Sequence, residues 1–367
     1  MMETNKLLFT VGPLEMYKDT MEIGGNKIPY FRTEEFSKIN KESCKIIKEL
    51  VYTDEKSDVI LLTSSGTGAM EAVLLNTLNH NDKLLIINGG TFGQRFVEIA
   101  KVLELDYDEL RLEKGKSIEK SQLDIFKNKG YTAMLVNGHE TSTGVLYDLN
   151  MLGEFCKNNN MLFKVDAIST FLADEYYMDN WNIDVTIISS QKALALPPGM
   201  SIIVLNEKAS QKVMNNNVKS LYFDLKLYLK DIKRGQTPFT PSVGIFIQLY
   251  NRLLKLKQIG IDNQLKHTKE IADNFRNSIK DLPLKIKSQN LSNALTPVYT
   301  QGIISAYKVY ETLKRDYDIV VNPSGGDLKD KMFRVGHIGN LTIEDNNKLV
   351  NALKEIINTK NGRDLNV

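Results

Sequence analysis

The chain has 367 residues, 42% hydrophobic and 25% charged, a balance that can bury a large core and that excludes a disordered or fibrous protein. Its 47 Lys and Arg against 45 Asp and Glu leave a formal charge of +2, with no basic surplus to suit nucleic acid or an anionic membrane as partner. Two cysteines, Cys44 and Cys156, make no disulfide framework and no Cys-x-x-Cys pair, and four histidines offer little for metal, so no metal site is expected. The N-terminus has no cationic segment leading into a signal-length apolar run, and nowhere do about 18 apolar residues run together. A cytoplasmic protein without a membrane span is the expectation.

In chain order, the apolar runs 59–62, 84–87, 133–136, 162–165, 185–188 and 201–204 read as buried strands. Amphipathic stretches at 70–78, 95–103 and 118–127 lie between them and have the length of crossover helices in parallel βαβ units. The pattern predicts a doubly wound α/β domain. After Pro241 the texture changes to one long charged helical pattern over 245–279, a strand at 284–287, a helix over 306–317, a strand at 332–335 and a helix over 342–357 whose Thr-Ile-Glu-Asp start resembles a capped N-terminus. A smaller α+β unit is therefore expected at the C-terminal end. The expected division is an arm at 1–20, a large domain over 21–244 and a small domain over 245–367.

Three places in the first domain can carry chemistry. Thr63-Ser-Ser-Gly-Thr-Gly-Ala69 follows a strand and opens a helix; the unpaired amides of Gly66, Thr67 and Gly68 could cradle a phosphate, although a plain strand-to-helix turn reads the same way. Asp166 ends a strand, where ligands gather in open α/β sheets. Such a carboxylate is either a structural cap or salt bridge, or the partner of a protonated ring nitrogen. Lys192 follows the next strand, and a lysine there is either a solvated surface residue or a buried amine able to form a Schiff base with an aldehyde. A phosphate cradle, a strand-end Asp and a strand-end Lys together match the needs of pyridoxal phosphate.

With these residues goes a resemblance that covers nearly the whole chain. Ser65-Gly-Thr-Gly-Ala-Met-Glu-Ala72, Gly138-His-Glu-Thr-Ser-Thr-Gly144 and Ser190-Gln-Lys-Ala-Leu194 with Pro197-Pro-Gly199 resemble the class V aminotransferases, fold-type I pyridoxal-phosphate enzymes near the alanine–glyoxylate, serine–pyruvate and 2-aminoethylphosphonate–pyruvate transaminases. The resemblance implies a large domain with a mainly parallel sheet sandwiched by helices and a smaller α+β domain. It implies that Lys192 is the catalytic Schiff-base lysine, Asp166 the pyridinium partner and Gly66-Thr67-Gly68 the phosphate loop. It further implies that Phe92 stacks on the cofactor ring, that Thr141 lies near the cofactor's phenolic oxygen and Gln191 near its phosphate, and that Arg334 grips a substrate carboxylate. Glu140 and Thr143 are read only as shaping their loop. Thr237 and Thr240, in Gln236-Thr-Pro-Phe-Thr-Pro241, match a segment that reaches into a partner subunit's phosphate site, which implies a homodimer with shared active sites. Tyr30-Phe31 stands where the family commonly has histidine, a departure the resemblance places at the substrate mouth.

The implied reaction moves an amino group from a small donor of alanine or serine type to a 2-oxo acid such as pyruvate or glyoxylate. A 2-aminoethylphosphonate–pyruvate transaminase is the alternative. Less favoured are a lyase or desulfurase, since neither cysteine sits in a Gly/Ser-rich loop, and a non-catalytic protein of the same fold.

Overall fold

The computed structural model describes residues 5–360. Its centre is a seven-stranded sheet in the order Asp58–Leu62, Ser201–Leu205, Val185–Ser189, Leu162–Asp166, Ala133–Asn137, Lys83–Asn88 and Asp106–Arg111. Six of these strands run in one direction. Ser201–Leu205 runs antiparallel to both its neighbours, because the connection over 190–200 carries no helix to bring the chain round for a parallel return. That connection holds Lys192.

The central strands are buried on both sides, which is why they read as unbroken apolar runs. Leu85 and Ile87 enter one core with Ile46, Val136 and Phe163, while Leu84 and Ile86 enter the other with Ala69, Leu74 and Phe96, as a two-residue period requires. The edge strand Asp106–Arg111 has the sequence DYDELR and only one buried residue; an edge can stay charged, and so it leaves no apolar run to find.

A second sheet of four strands contains Leu7–Phe9, Ile319–Pro323, Met332–Gly336 and Leu295–Tyr299. Leu7–Phe9 pairs in parallel with Ile319–Pro323, so the start of the chain is stitched to its far end. Phe9, Phe275, Val298, Phe333 and Leu353 fill the core beneath. The expected helix over 245–279 is two helices, Val243–Ile259 and Ile261–Ser278, parted at Gly260, whose φ is +85°. The first packs Phe246, Leu249 and Leu253 into the core of the large sheet, and the second joins the small sheet through Ile271 and Phe275. The expected strand at 284–287 is reduced to a bridge between Lys285 and Tyr299, and the helix over 118–127 to Lys120–Asp124. No helix among the described residues is long and apolar enough to cross a membrane.

Candidate active site

The carboxyl ends of the parallel strands face one side of the sheet, and the separate motifs meet there. Ser65, Gly66, Thr67, Phe92, His139, Thr141, Asp166, Gln191 and Lys192 all line one enclosed cavity. Phe92 is also a wall of a larger cleft of about 710 Å³, whose other side brings Ser324, Asp327 and Arg334 from the small-sheet region. Gly68, in the same helical turn as Gly66 and Thr67, lies just behind the cavity wall, against Ser64 and Phe223.

Asp166 is the last residue of its strand and is buried. Burial raises its carboxyl to about 7, against a hydrogen bond from Ile168 N–H (2.8 Å) and the charge of Lys192. Lys192 Nζ donates to Val11 O at 2.6 Å. Burial lowers its pKa to about 8, and Asp166 opposes that fall. The result is an amine that can shed its proton near neutrality, beside a carboxylate that lacks a hydrogen-bonded cation.

Helix Gly66–Thr77 is capped by Ser65, whose Oγ accepts Gly68 N–H at 3.2 Å. The first-turn amides of Gly66 and Thr67 remain for a ligand. A Cβ on Gly66 would come within 2.4 Å of Ile168 Cδ1, so a larger residue there would have to push the Ile168 side chain aside. Arg95 Nη1 donates to Thr67 Oγ1 at 3.3 Å, which occupies a lone pair of the hydroxyl and frees its proton for an acceptor in the cavity. Gln191 Oε1 accepts from Ser189 Oγ at 2.6 Å. Thr141 Oγ1 is buried without a partner.

Arg334 Nη1 donates to Thr141 O at 3.0 Å and Nη2 to Pro323 O at 2.9 Å, while Nε is buried without a partner, as is Ser324 Oγ. Burial lowers the Arg334 pKa and Glu140 opposes it; an arginine nonetheless keeps its charge. Thr237 and Thr240 are not brought to this cavity. Thr237 Oγ1 donates to Phe239 O at 2.7 Å, Arg32 Nη1 donates to Thr237 O at 2.7 Å, and Thr240 is exposed. Tyr30 is exposed and Phe31 packs on Phe36; neither lines the cavity or the cleft.

Sequence reasoning assigned no role to Arg95, Val11 or His139. His139 is buried, with Nδ1 at 3.4 Å from Ser169 O and Nε2 unpartnered, and burial drives its pKa down to about 3, so the ring is neutral. It stands in the Gly138–Gly144 motif, which was the available signal. Val11 had none, since its contact with Lys192 spans the whole fold.

The family model for aminotransferase class-V matches residues 16–326. The chain belongs to the class-V aminotransferases. A soluble hydrogenase 42 kDa subunit of Anabaena cylindrica is 31% identical over 89% of this chain and 86% of its own. The alanine–glyoxylate aminotransferase of Oryctolagus cuniculus is 28% identical over 96% of this chain and 93% of its own. In fold, this aminotransferase superposes on the ureidoglycine–glyoxylate aminotransferase of Bacillus subtilis with a TM-score of 0.92, covering 99% of this chain and 95% of that one at 24% identity. Fold-type I enzymes of this family use pyridoxal phosphate, and this aminotransferase is such an enzyme.

The residues present fit that cofactor. The buried carboxylate of Asp166 needs a cation that the protein does not place in hydrogen-bond range, the unpartnered Thr141 hydroxyl needs an acceptor, and the Gly66 turn leaves amides for a phosphate.

Proposed function

We propose that this aminotransferase moves an amino group from alanine or serine to pyruvate or glyoxylate, with Lys192 as the catalytic amine. The observation that carries the reading is the placing of Lys192 and Asp166 in one buried cavity that shares Phe92 with the Arg334 cleft. Bound in the cavity, pyridoxal phosphate supplies an aldehyde for amine exchange and an electron-withdrawing ring. Gly66, Thr67 and Gln191 hold its phosphate in this reading, Phe92 lies on its ring and Asp166 holds a proton at its ring nitrogen. Lys192 Nζ, with a pKa of about 8, would take the α-proton of the donor and deliver it to the cofactor's aldehyde carbon, on the far side of the amine nitrogen. Arg334 holds the carboxylate that donor and acceptor share, with Nε facing no protein acceptor. The names of the rabbit and Bacillus relatives, both glyoxylate aminotransferases, support a small 2-oxo acid as acceptor.

The same reading makes the molecule a homodimer in the cytoplasm. Its support is that Thr237 and Thr240 lie outside their own chain's cavity, and that Cys44 and Cys156 are unpaired. A desulfurase is disfavoured because both thiols are buried, with Cys44 pushed up to about 12.

The test is an absorbance scan of purified protein loaded with pyridoxal phosphate, before and after L-alanine, L-serine or 2-aminoethylphosphonate without acceptor. Bleaching of the visible band by alanine or serine is expected, and Lys192→Ala should fold but turn nothing over. Preference for the phosphonate amine would replace the proposed donor. Absence of any visible band would end the reading.

A further inference from the structure

Helix Thr91–Val102, which carries Phe92 in its first turn, follows Gly90 and has no side-chain cap of its own. Its leading amides would be left unsatisfied. They are met instead from a distant part of the chain. Glu140, fully buried in the two-residue strand His139–Glu140, accepts Phe92 N–H at 3.2 Å and Gly93 N–H at 3.1 Å on one carboxylate oxygen. Ser142 Oγ accepts Thr91 N–H at 3.2 Å and donates to Glu140 at 2.5 Å. Asn137 Nδ2 and Ser142 N–H, each at 3.1 Å, complete the donors around the carboxylate.

Two other groups of the site meet the same segment of chain. Thr141 follows Glu140 directly, and Arg334 Nη1 is bonded to Thr141 O at 3.0 Å. The start of the Phe92 helix therefore rests on one carboxylate, through hydrogen bonds and the favourable charge at a helix N-terminus, while Arg334 is bonded to the backbone of the next residue, Thr141. We infer that Glu140 is a positioning residue that caps the Phe92 helix across the fold and thereby fixes the plane of the aromatic ring against which the cofactor ring lies. The inference rests on the proposed stacking role of Phe92. Glutamine cannot replace the carboxylate, because its amide turns one acceptor oxygen into a donor that faces other donors.

The experiment compares wild type, Glu140→Gln, Glu140→Asp and Ser142→Ala as apoproteins. Each is titrated with pyridoxal phosphate and, separately, with pyridoxal, which lacks the phosphate; the visible circular dichroism per bound cofactor and the melting temperature are also recorded. Glu140→Gln should raise Kd about tenfold for both aldehydes alike and weaken the visible dichroism, since the platform and not the phosphate grip is loosened. Glu140→Asp should be intermediate, and Ser142→Ala should shift both readouts in the same direction by about twofold. Should Glu140→Gln fail to fold, Ser142→Ala carries the test. A purely structural Glu140 would lower the melting temperature and leave both Kd values and the dichroism per bound cofactor at wild-type level, which would overturn the inference. Failure of the wild type to bind either aldehyde would sink the cofactor reading and this inference with it.

Discussion

Asp166 and Lys192 each carry a charge state set by burial rather than by residue type. In the apoprotein the Asp166 carboxyl binds its proton up to about pH 7, whereas in the unfolded chain it releases it near the ordinary value of about 4. Between those two limits the folded state holds more protons, so this residue's contribution to stability falls as pH rises and levels off above about 7. Lys192 has the opposite sign: its folded pKa is lowered to about 8, and its contribution rises with pH from there to its unfolded value. Asp166→Asn removes the first effect. The unfolding free energy of the wild-type apoprotein, measured by denaturant against that of Asp166→Asn, should decline from pH 4 to pH 7, at a slope of at most about 1.4 kcal/mol per pH unit. A constant difference across that range would show that Asp166 is not held protonated.

At the scale of elements, the site is made by connections at strand ends and by one crossing segment. The N-terminal strand Leu7–Phe9 is pinned in the small sheet, and the residues that follow are drawn over the Lys192 turn, where Val11 O receives the lysine amine. Gly12 is required there. Its φ is +129°, and a Cβ would stand 2.8 Å from Gln191 O and 2.9 Å from Lys192 Cδ. Gly12→Ala should destabilise the protein by about 1–3 kcal/mol and displace Lys192 as well. Denaturant unfolding checks the first effect and the apparent pKa of Lys192 in a pH–rate profile the second; an unchanged midpoint together with an unchanged profile would refute the role given to this crossing.

For the whole molecule, the cleft that holds Phe92 and Arg334 lies between the two sheets, and the buried carboxylate of Asp174 ties the two sides together. Asp174, beyond the strand that ends in Asp166, accepts Ser292 Oγ at 2.5 Å and Asn293 N–H at 2.8 Å from the segment leading into Leu295–Tyr299. The proposed sharing of sites between subunits has a test at this scale. Lys192→Ala and the double variant Thr237→Ala/Thr240→Ala, each expressed alone, should be nearly inactive. Mixed by co-expression they should recover about a quarter of wild-type activity, because random pairing makes half of the dimers mixed and each mixed dimer has one complete site. No recovery would mean that the two threonines serve their own chain or none.

Hydrophobic period and strand-end position made the large sheet, Asp166, Lys192 and the Gly66 turn legible in the sequence, because these depend on contacts local in the chain or on a rule that holds for every open α/β sheet. The roles proposed for Phe92, Thr141, Gln191 and Arg334 came only through motifs resembling a family. Tertiary structure alone decided the reversed strand Ser201–Leu205, the break at Gly260, the charged edge strand Asp106–Arg111 and the pairing of the first strand into the second sheet. It also decided that Val11 meets Lys192 and that Glu140 caps the helix of Phe92. Those contacts join residues far apart in the chain, and their hydrogen bonds depend on where strands and helices come to rest, a property that no local pattern of side chains encodes.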